Sequence, residues 1–300
     1  MTAPATMQSD AMNRSGDMAQ LRRAIDSATA ALADAGIDSA RHDAELLAAH
    51  LAGTDRGRLP LLEPPGAEFF GQYQDAVAAR SRRIPLQHII GTVTFGPVDL
   101  HVGPGVFIPR PETEAMLEWA GARRLGARPV IVDLCTGSGA LAVALAHRWP
   151  AARVIGVDDS LAALEYARRN AEGTAVELRH ADVGTPGLLS ELDGRVDLLV
   201  ANPPYVPDGA ELEPEVAQHD PRHAVFGGPD GMTVIAAIVA VAGRWLRPGG
   251  LLAVEHDDTT SSATVELLTR TGFFEDISAR QDWTGRPRFV TACRGEDARG

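Results

Sequence analysis

Apolar residues recur every three or four positions over the first quarter of the chain and then change to short continuous runs. That change divides the sequence into two regions. In "AQLRRAIDSATAALADAGI", Leu21, Ile25, Ala28 and Leu32 share one helical face, and Gly36 is placed to stop the helix. "SARHDAELLAAHLAG" repeats the scheme, with Ser39 as the N-cap candidate and Gly53 as the stop. After the proline-rich "LPLLEPPG", the segment "AEFFGQYQDAVAARSRR" reads as a third long helix. No strand pattern interrupts residues 19–83, so they are expected to form a small helical domain. The small, polar residues 1–18 are expected to be a disordered tail.

From Ile84 the period shortens. "PLQHIIGTVTFGPVDLHVGPGVFI" is rich in β-branched residues and turn glycines, and predicts a hairpin over 84–108 linking two domains. "PRPETEAMLEWAGARRL" then predicts a helix with Pro111 in its first turn and Glu112 and Glu114 at its positive end. Beyond it, apolar runs alternate with helical ones: "PVIVDLC", "ARVIGVD", "AVELRHAD", "RVDLLVAN" and "GLLAVEH" predict five strands, and "FEDISARQ" and "RFVTACR" a closing pair. The implied fold is α/β: a seven-stranded, mostly parallel sheet covered on both faces, over residues 109–295, joined by the hairpin to the helical domain.

Composition narrows the chemistry. The net charge of −12 disfavours a polyanionic partner, so no direct nucleic-acid binding is expected. All 28 basic residues are arginine, which excludes lysine Schiff-base chemistry and a P-loop lysine. Two distant cysteines, Cys135 and Cys293, suggest neither a disulfide framework nor a zinc site. No metal is expected, since the histidines show no HExxH spacing. No apolar run reaches the ~18 residues of a membrane span, and the N-terminus lacks a secretory pattern. A cytoplasmic protein without a membrane partner is the expectation.

The candidate chemistry lies at strand ends. "VDLCTGSGA" follows the first strand and opens a helix, and Gly137 and Gly139 allow close approach of a ligand to the backbone. Asp158 ends the second strand, where a carboxylate can accept ribose hydroxyls. Asp182 ends the third, placed to meet an adenine edge, and Asn202 ends the fourth. Polar groups at four successive strand ends make a nucleoside-type pocket. The loop lacks the third glycine of a dinucleotide fingerprint. Asp133 would repel a pyrophosphate but attract the ammonium and sulfonium of S-adenosylmethionine.

"LLVANPPYVPDG" supplies a second candidate. Adjacent prolines cannot continue a central strand, so the strand stops at Asn202 in a rigid turn. That turn can present the Asn202 side-chain oxygen and the Pro203 carbonyl as paired acceptors to a planar NH₂ group, with Tyr205 available to stack on it. A carboxamide and an adenine amino group meet this requirement equally.

The chain resembles class I S-adenosylmethionine-dependent methyltransferases, and more closely the bacterial release factor glutamine methyltransferase family. "DAELLAAHLAG", "PLQHIIG", "GVFIPRPETE", "DLCTGSGALAVALA", "ANPPYVP", "FGGPDG", "LRPGGLLAVEH" and "DWTGRPRFVTACR" match its pattern in order. The resemblance implies a Rossmann-like catalytic domain and a helical domain for substrate recognition. It also implies transfer of a methyl group to the side-chain amide nitrogen, N5, of the glutamine in the GGQ loop of peptide chain release factors. By the same resemblance Cys135, Thr136, Gly137, Ser138, Gly139, Asp158, Asp182 and Val183 contact the donor. Asn202, Pro203, Pro204 and Tyr205 hold the glutamine, and Phe107, Arg110 and Glu114 help close the pocket. Cys135 stands where the family usually has glycine, which is expected to displace the loop slightly. A ribosomal-protein glutamine or the adenine N6 of a nucleic acid are the alternative acceptors.

Overall fold

The computed structural model describes residues 5–63 and 65–296, in two compact units that divide after Gly91. The first unit is helical: α1 (Ala5–Asp34), α2 (Ala40–Leu51), α3 (Ala67–Ser81) and the short α4 (Leu86–Ile90), with a 3₁₀ turn over Arg56–Leu61. The expected apolar face is buried: Leu21, Ile25 and Leu32 of α1 pack with Ala44 and Leu47 of α2 and Phe69, Tyr73 and Val77 of α3. Inside this core the Tyr73 hydroxyl donates to the Ala44 carbonyl at 2.9 Å. A buried ion pair joins Arg80 of α3 to Asp43 of α2 at 2.7 Å. Ser39 stands at the N-cap position, but its hydroxyl donates to the Asp43 carboxylate at 2.8 Å instead of capping the backbone.

Two boundaries differ from the sequence expectation. Helix α1 begins at Ala5, so the segment 5–18 expected as tail is helical; residues 1–4 lie outside the described ones. These residues carry no apolar period, yet include several good helix formers. The hairpin expected over 84–108 is also shorter. Leu86–Ile90 is α4, stopped by Gly91 at φ +81, and the strands are β1 (Thr92–Phe95) and β2 (Val98–His101). Ile89 and Ile90 have strand propensity, but they pack into the helical core. The hairpin therefore belongs to the second unit.

The second unit contains β3 (Val130–Leu134), β4 (Arg153–Asp158), β5 (Glu177–His180), β6 (Val196–Ala201), β7 (Leu246–Glu255), β8 (Phe274–Gln281) and β9 (Pro287–Arg294). They form one seven-stranded sheet in the order β5-β4-β3-β6-β7-β9-β8. The first five are parallel, and β9 runs antiparallel to both β7 and β8. Its helices are α5 (Glu114–Gly121), α6 (Ala140–Arg148), α7 (Leu161–Asn170), α8 (Pro214–His219), α9 (Arg222–Val225), α10 (Thr233–Trp245) and α11 (Ser261–Thr271). Alternate residues of β3 serve opposite faces. Val132 and Leu134 pack with Ile235, Ile238 and Trp245 of α10, whereas Ile131 packs with Met116 of α5 and Leu145 of α6. Burial on both faces is why these strands read as continuous apolar runs. The sheet order reverses between β3 and β4 on one side and β6 on the other, and such a switch opens a crevice at the carboxyl ends of the strands.

Candidate active site

A cavity occupies that crevice, entirely within the second unit. Its floor is the end of β3 and the loop that follows, Asp133–Ser138; its sides carry Asp158, Asp182, Val183 and Asn202; and Phe107 and His223 also line it. The loop is held tightly. Cys135, Gly137 and Gly139 all have positive φ, at +58, +56 and +84. The glycines adopt this geometry freely, whereas Cys135 does so at a cost. At Cys135 the backbone keeps the left-handed geometry that suits glycine. Burial, followed by the neighbouring carboxylates Asp158 and Asp133, pushes the Cys135 thiol well above its ordinary range, which disfavours a nucleophilic thiolate.

Asp133 is buried at the base of the loop. Its Oδ2 accepts from the Thr136 hydroxyl at 2.6 Å and the Ala142 N–H at 3.0 Å, while Oδ1 is buried without a hydrogen-bond partner. The Ser138 hydroxyl is likewise buried and unpartnered. Two orphaned polar atoms on a cavity wall are what a polar, cationic ligand would satisfy. Desolvation pushes Asp133 up to about 7, although its hydrogen bonds oppose the shift. Asp158 accepts the Gly137 N–H at 2.8 Å and the Ser160 N–H at 2.9 Å, one on each oxygen, so it organises the glycine loop as well as facing the cavity. Asn170 closes the same structure from behind, donating to the Ser138 and His101 carbonyls and accepting the His101 N–H. Asp182 accepts the Gly184 N–H at 2.7 Å in the turn beyond β5.

The Asn-Pro-Pro-Tyr turn follows β6. Asn202 and Pro204 line the cavity; Pro203 is buried behind them. The Asn202 Nδ2 donates to the Thr113 hydroxyl at 3.1 Å, and that hydroxyl donates to Glu255 Oε2 at 2.8 Å. The Tyr205 hydroxyl donates to Glu255 Oε1 at 3.0 Å, so its polar tip is held inside the protein. Burial pushes the Glu255 carboxyl up to about 7 and the Tyr205 phenol above its ordinary range. The turn is braced by the "FGGPDG" segment. Val206 N–H donates to the Val225 carbonyl and Gly227 N–H to the Val206 carbonyl, at 3.0 and 2.9 Å. A Cβ on Gly227 would lie 2.5 Å from the Pro204 carbonyl oxygen, and one on Gly231 2.2 Å from that of Tyr205.

The residues expected from the sequence fall into two sets. Cys135 to Ser138, Asp158, Asp182, Val183, Asn202, Pro204 and Phe107 converge on the cavity; Gly139 stands just behind it as the N-cap of α6. Arg110, Glu114, Pro203 and Tyr205 do not line it; Tyr205, expected to stack on the substrate, instead has its hydroxyl bound to Glu255. Arg110 lies 4.9 Å from the Phe107 ring centroid and bridges at 2.5 Å to the buried Asp220, tying the Phe107 segment to the stretch between α8 and α9. Thr113 and Glu255 were missed. The signal for Glu255 was in the sequence: "LLAVEH" is a fifth apolar strand ending in a carboxylate, like its neighbours. Thr113 lies within "GVFIPRPETE", but only the fold brings it to Asn202.

Known proteins resemble the chain along most of its length. Residues 23–91 match the family model described as PrmC N-terminal domain, and 113–225 match the Methyltransferase small domain. The release factor glutamine methyltransferase of Mycobacterium tuberculosis (strain ATCC 25618 / H37Rv) is 73% identical over 278 residues, covering 91% of each chain. That of Streptomyces coelicolor is 47% identical, covering 88% of this chain and 95% of the relative. A 4-amino-L-phenylalanine/4-methylamino-L-phenylalanine methyltransferase of Streptomyces pristinaespiralis is 41% identical, covering 87% and 91%. Among solved structures, a methyltransferase from Pyrococcus furiosus shares the fold at 18% identity and a TM-score of 0.50, covering 73% of this chain and 99% of that one.

Proposed function

Since the chain belongs to the release factor glutamine methyltransferase family and is therefore a methyltransferase, we propose that it transfers the methyl group of S-adenosylmethionine to N5 of the glutamine in the GGQ motif of peptide chain release factors. The donor, when bound, supplies a methyl group on a positively charged sulfur. Asp133 Oδ1 and the Ser138 hydroxyl, both without partners, suit its polar amino-acid end; Asp158 suits the ribose, and Asp182 and Val183 the base.

The chain's own residues then have to make an amide nitrogen reactive. Its lone pair is delocalised into the carbonyl, so orientation is the main resource, and well-placed reactants gain up to ~7–11 kcal/mol over free encounter. Asn202 Oδ1 and the Pro203 carbonyl accept the two amide hydrogens, turning the nitrogen lone pair toward the donor. Their partial negative charges also stabilise the positive charge that develops on nitrogen. The proton leaves after attack, so no strong base is required beforehand. One observation carries this reading: Asn202 Nδ2 is engaged by Thr113, which leaves Oδ1 as the end of the side chain available to the cavity it lines.

Incubation with labelled donor and a purified release factor, followed by mass mapping, should place the label on the GGQ glutamine. Label on a ribosomal protein or a nucleic acid instead would overturn the reading. Asn202→Ala should abolish transfer while donor affinity falls only a few-fold; near-normal turnover would remove the two-acceptor grip.

A further inference from the structure

Hydrogen-bond polarity along one chain of side chains has a consequence for Asn202. An ionised carboxylate only accepts hydrogen bonds, so both hydroxyls beside Glu255, those of Thr113 and Tyr205, must donate to it. The Thr113 hydroxyl has a single proton. With that proton committed to Glu255, its oxygen can only accept from Asn202. The Asn202 amide must then turn Nδ2 toward Thr113 and Oδ1 away from it.

We propose that Glu255, working through the Thr113 hydroxyl, is a positioning residue that decides which end of the Asn202 amide faces the cavity. This rests on the reading that Asn202 Oδ1 grips the target amide. A proton on Glu255 reverses the chain. The protonated oxygen donates to Thr113, the Thr113 proton becomes available to Asn202, and the amide turns over to accept it with Oδ1. Nδ2 then faces the cavity and repels the N–H groups of the substrate. Only the carboxyl proton enters, the hydroxyl reorients, and no bond between heavy atoms changes.

The surroundings of Glu255 make such a change accessible near neutrality. The carboxyl is buried at the end of β7, and desolvation favours its protonated form. The hydroxyls of Thr113 and Tyr205 and the charge of Arg288 on β9 favour the ionised form, while Glu112, before α5, opposes it. Arg288 is itself engaged by Asp282 at 3.3 Å, and the neighbouring His256 is held toward neutrality by burial. Turnover should therefore be carried by the ionised form and decline as pH falls through about 7.

The test compares wild type, Thr113→Val, Thr113→Ser, Glu255→Gln and Asn202→Ala, using the full chain, a release factor and saturating donor across pH 5.5 to 9. Thr113→Val should lower kcat by about 10- to 100-fold and leave donor Kd within a few-fold. Its remaining activity should lack the acidic limb, because Glu255 no longer communicates with Asn202. Thr113→Ser should restore both kcat and the limb. Glu255→Gln removes the titrating proton, so the activity that remains should lack the acidic limb, and a retained limb overturns the proposal. Wild-type kcat in Thr113→Val, or an unchanged acidic limb in that variant, overturns the proposal, while loss of transfer in Asn202→Ala leaves the underlying reading intact. Near-normal turnover in Asn202→Ala instead overturns the grip itself, and the proposal with it.

Discussion

Cys135 occupies a backbone position that suits glycine. Its φ of +58 is left-handed, a region that disfavours side chains bearing a Cβ by about 1–2 kcal/mol. Cys135→Gly should thus raise stability by up to about 1 kcal/mol, after the extra flexibility glycine gives the unfolded chain. Urea denaturation of the two proteins measures it directly. Asp133 makes a prediction with a sign. Its folded value of about 7 lies above the ordinary 3.8, so the native state binds the proton more tightly than the unfolded chain. The donor-free protein should lose stability through this group as pH rises from about 4 to about 7, and Asp133→Asn should remove that dependence from the melting temperature. Donor binding should run the other way. A cation prefers the ionised carboxylate, so affinity should weaken by up to about tenfold per unit as pH falls below about 7; calorimetric titration at several pH values tests this.

At the scale of elements, the strands and most helices were legible because their burial leaves a periodic or continuous apolar signature. β3 and β6 are covered on both faces, so their runs stand out; Leu86–Ile90 did not, because Ile89 and Ile90 satisfy a strand pattern while packing as a helix. The strand-end carboxylates were legible too, since polar residues that stop apolar runs mark the crevice. The Thr113 contact was not, being made between positions 89 residues apart. "FGGPDG" lies between these cases: its glycines were visible, but their reason is the backbone they press against. Gly227→Ala would bring a Cβ to 2.5 Å from the Pro204 oxygen, and Gly231→Ala adds an unfavourable φ of +76. Each should cost about 1–3 kcal/mol of stability and lower kcat more than donor affinity, because the displaced element is the turn that holds Asn202.

For the whole molecule, the division after Gly91 coincides with the end of the residues that match the N-terminal family model. The helical unit has its own core and a buried Asp43–Arg80 pair, and removing one partner of such a pair typically costs about 3–5 kcal/mol. Arg80→Ala should accordingly melt the helical unit at a lower temperature while leaving donor binding to the second unit unchanged. If that unit recognises the protein substrate, deleting residues 1–91 should reduce kcat/KM for a whole release factor more than for a short glutamine peptide. Equal losses would remove the recognition role. Among the described residues no helix is long and apolar enough to cross a membrane.

Pro221, His223, Ala224 and Phe226 line the cavity, while Val225 and Gly227 in the same stretch are stitched to Val206 just past the Asn-Pro-Pro-Tyr turn. On the function proposed above, one short stretch of backbone would serve as a shared wall for two guests. Whatever steadies it for the first guest lessens the ordering left for the second, and thermodynamic reciprocity requires the benefit to be mutual. A release factor should therefore bind more tightly after the donor than before it, by the same factor that the donor gains from the release factor.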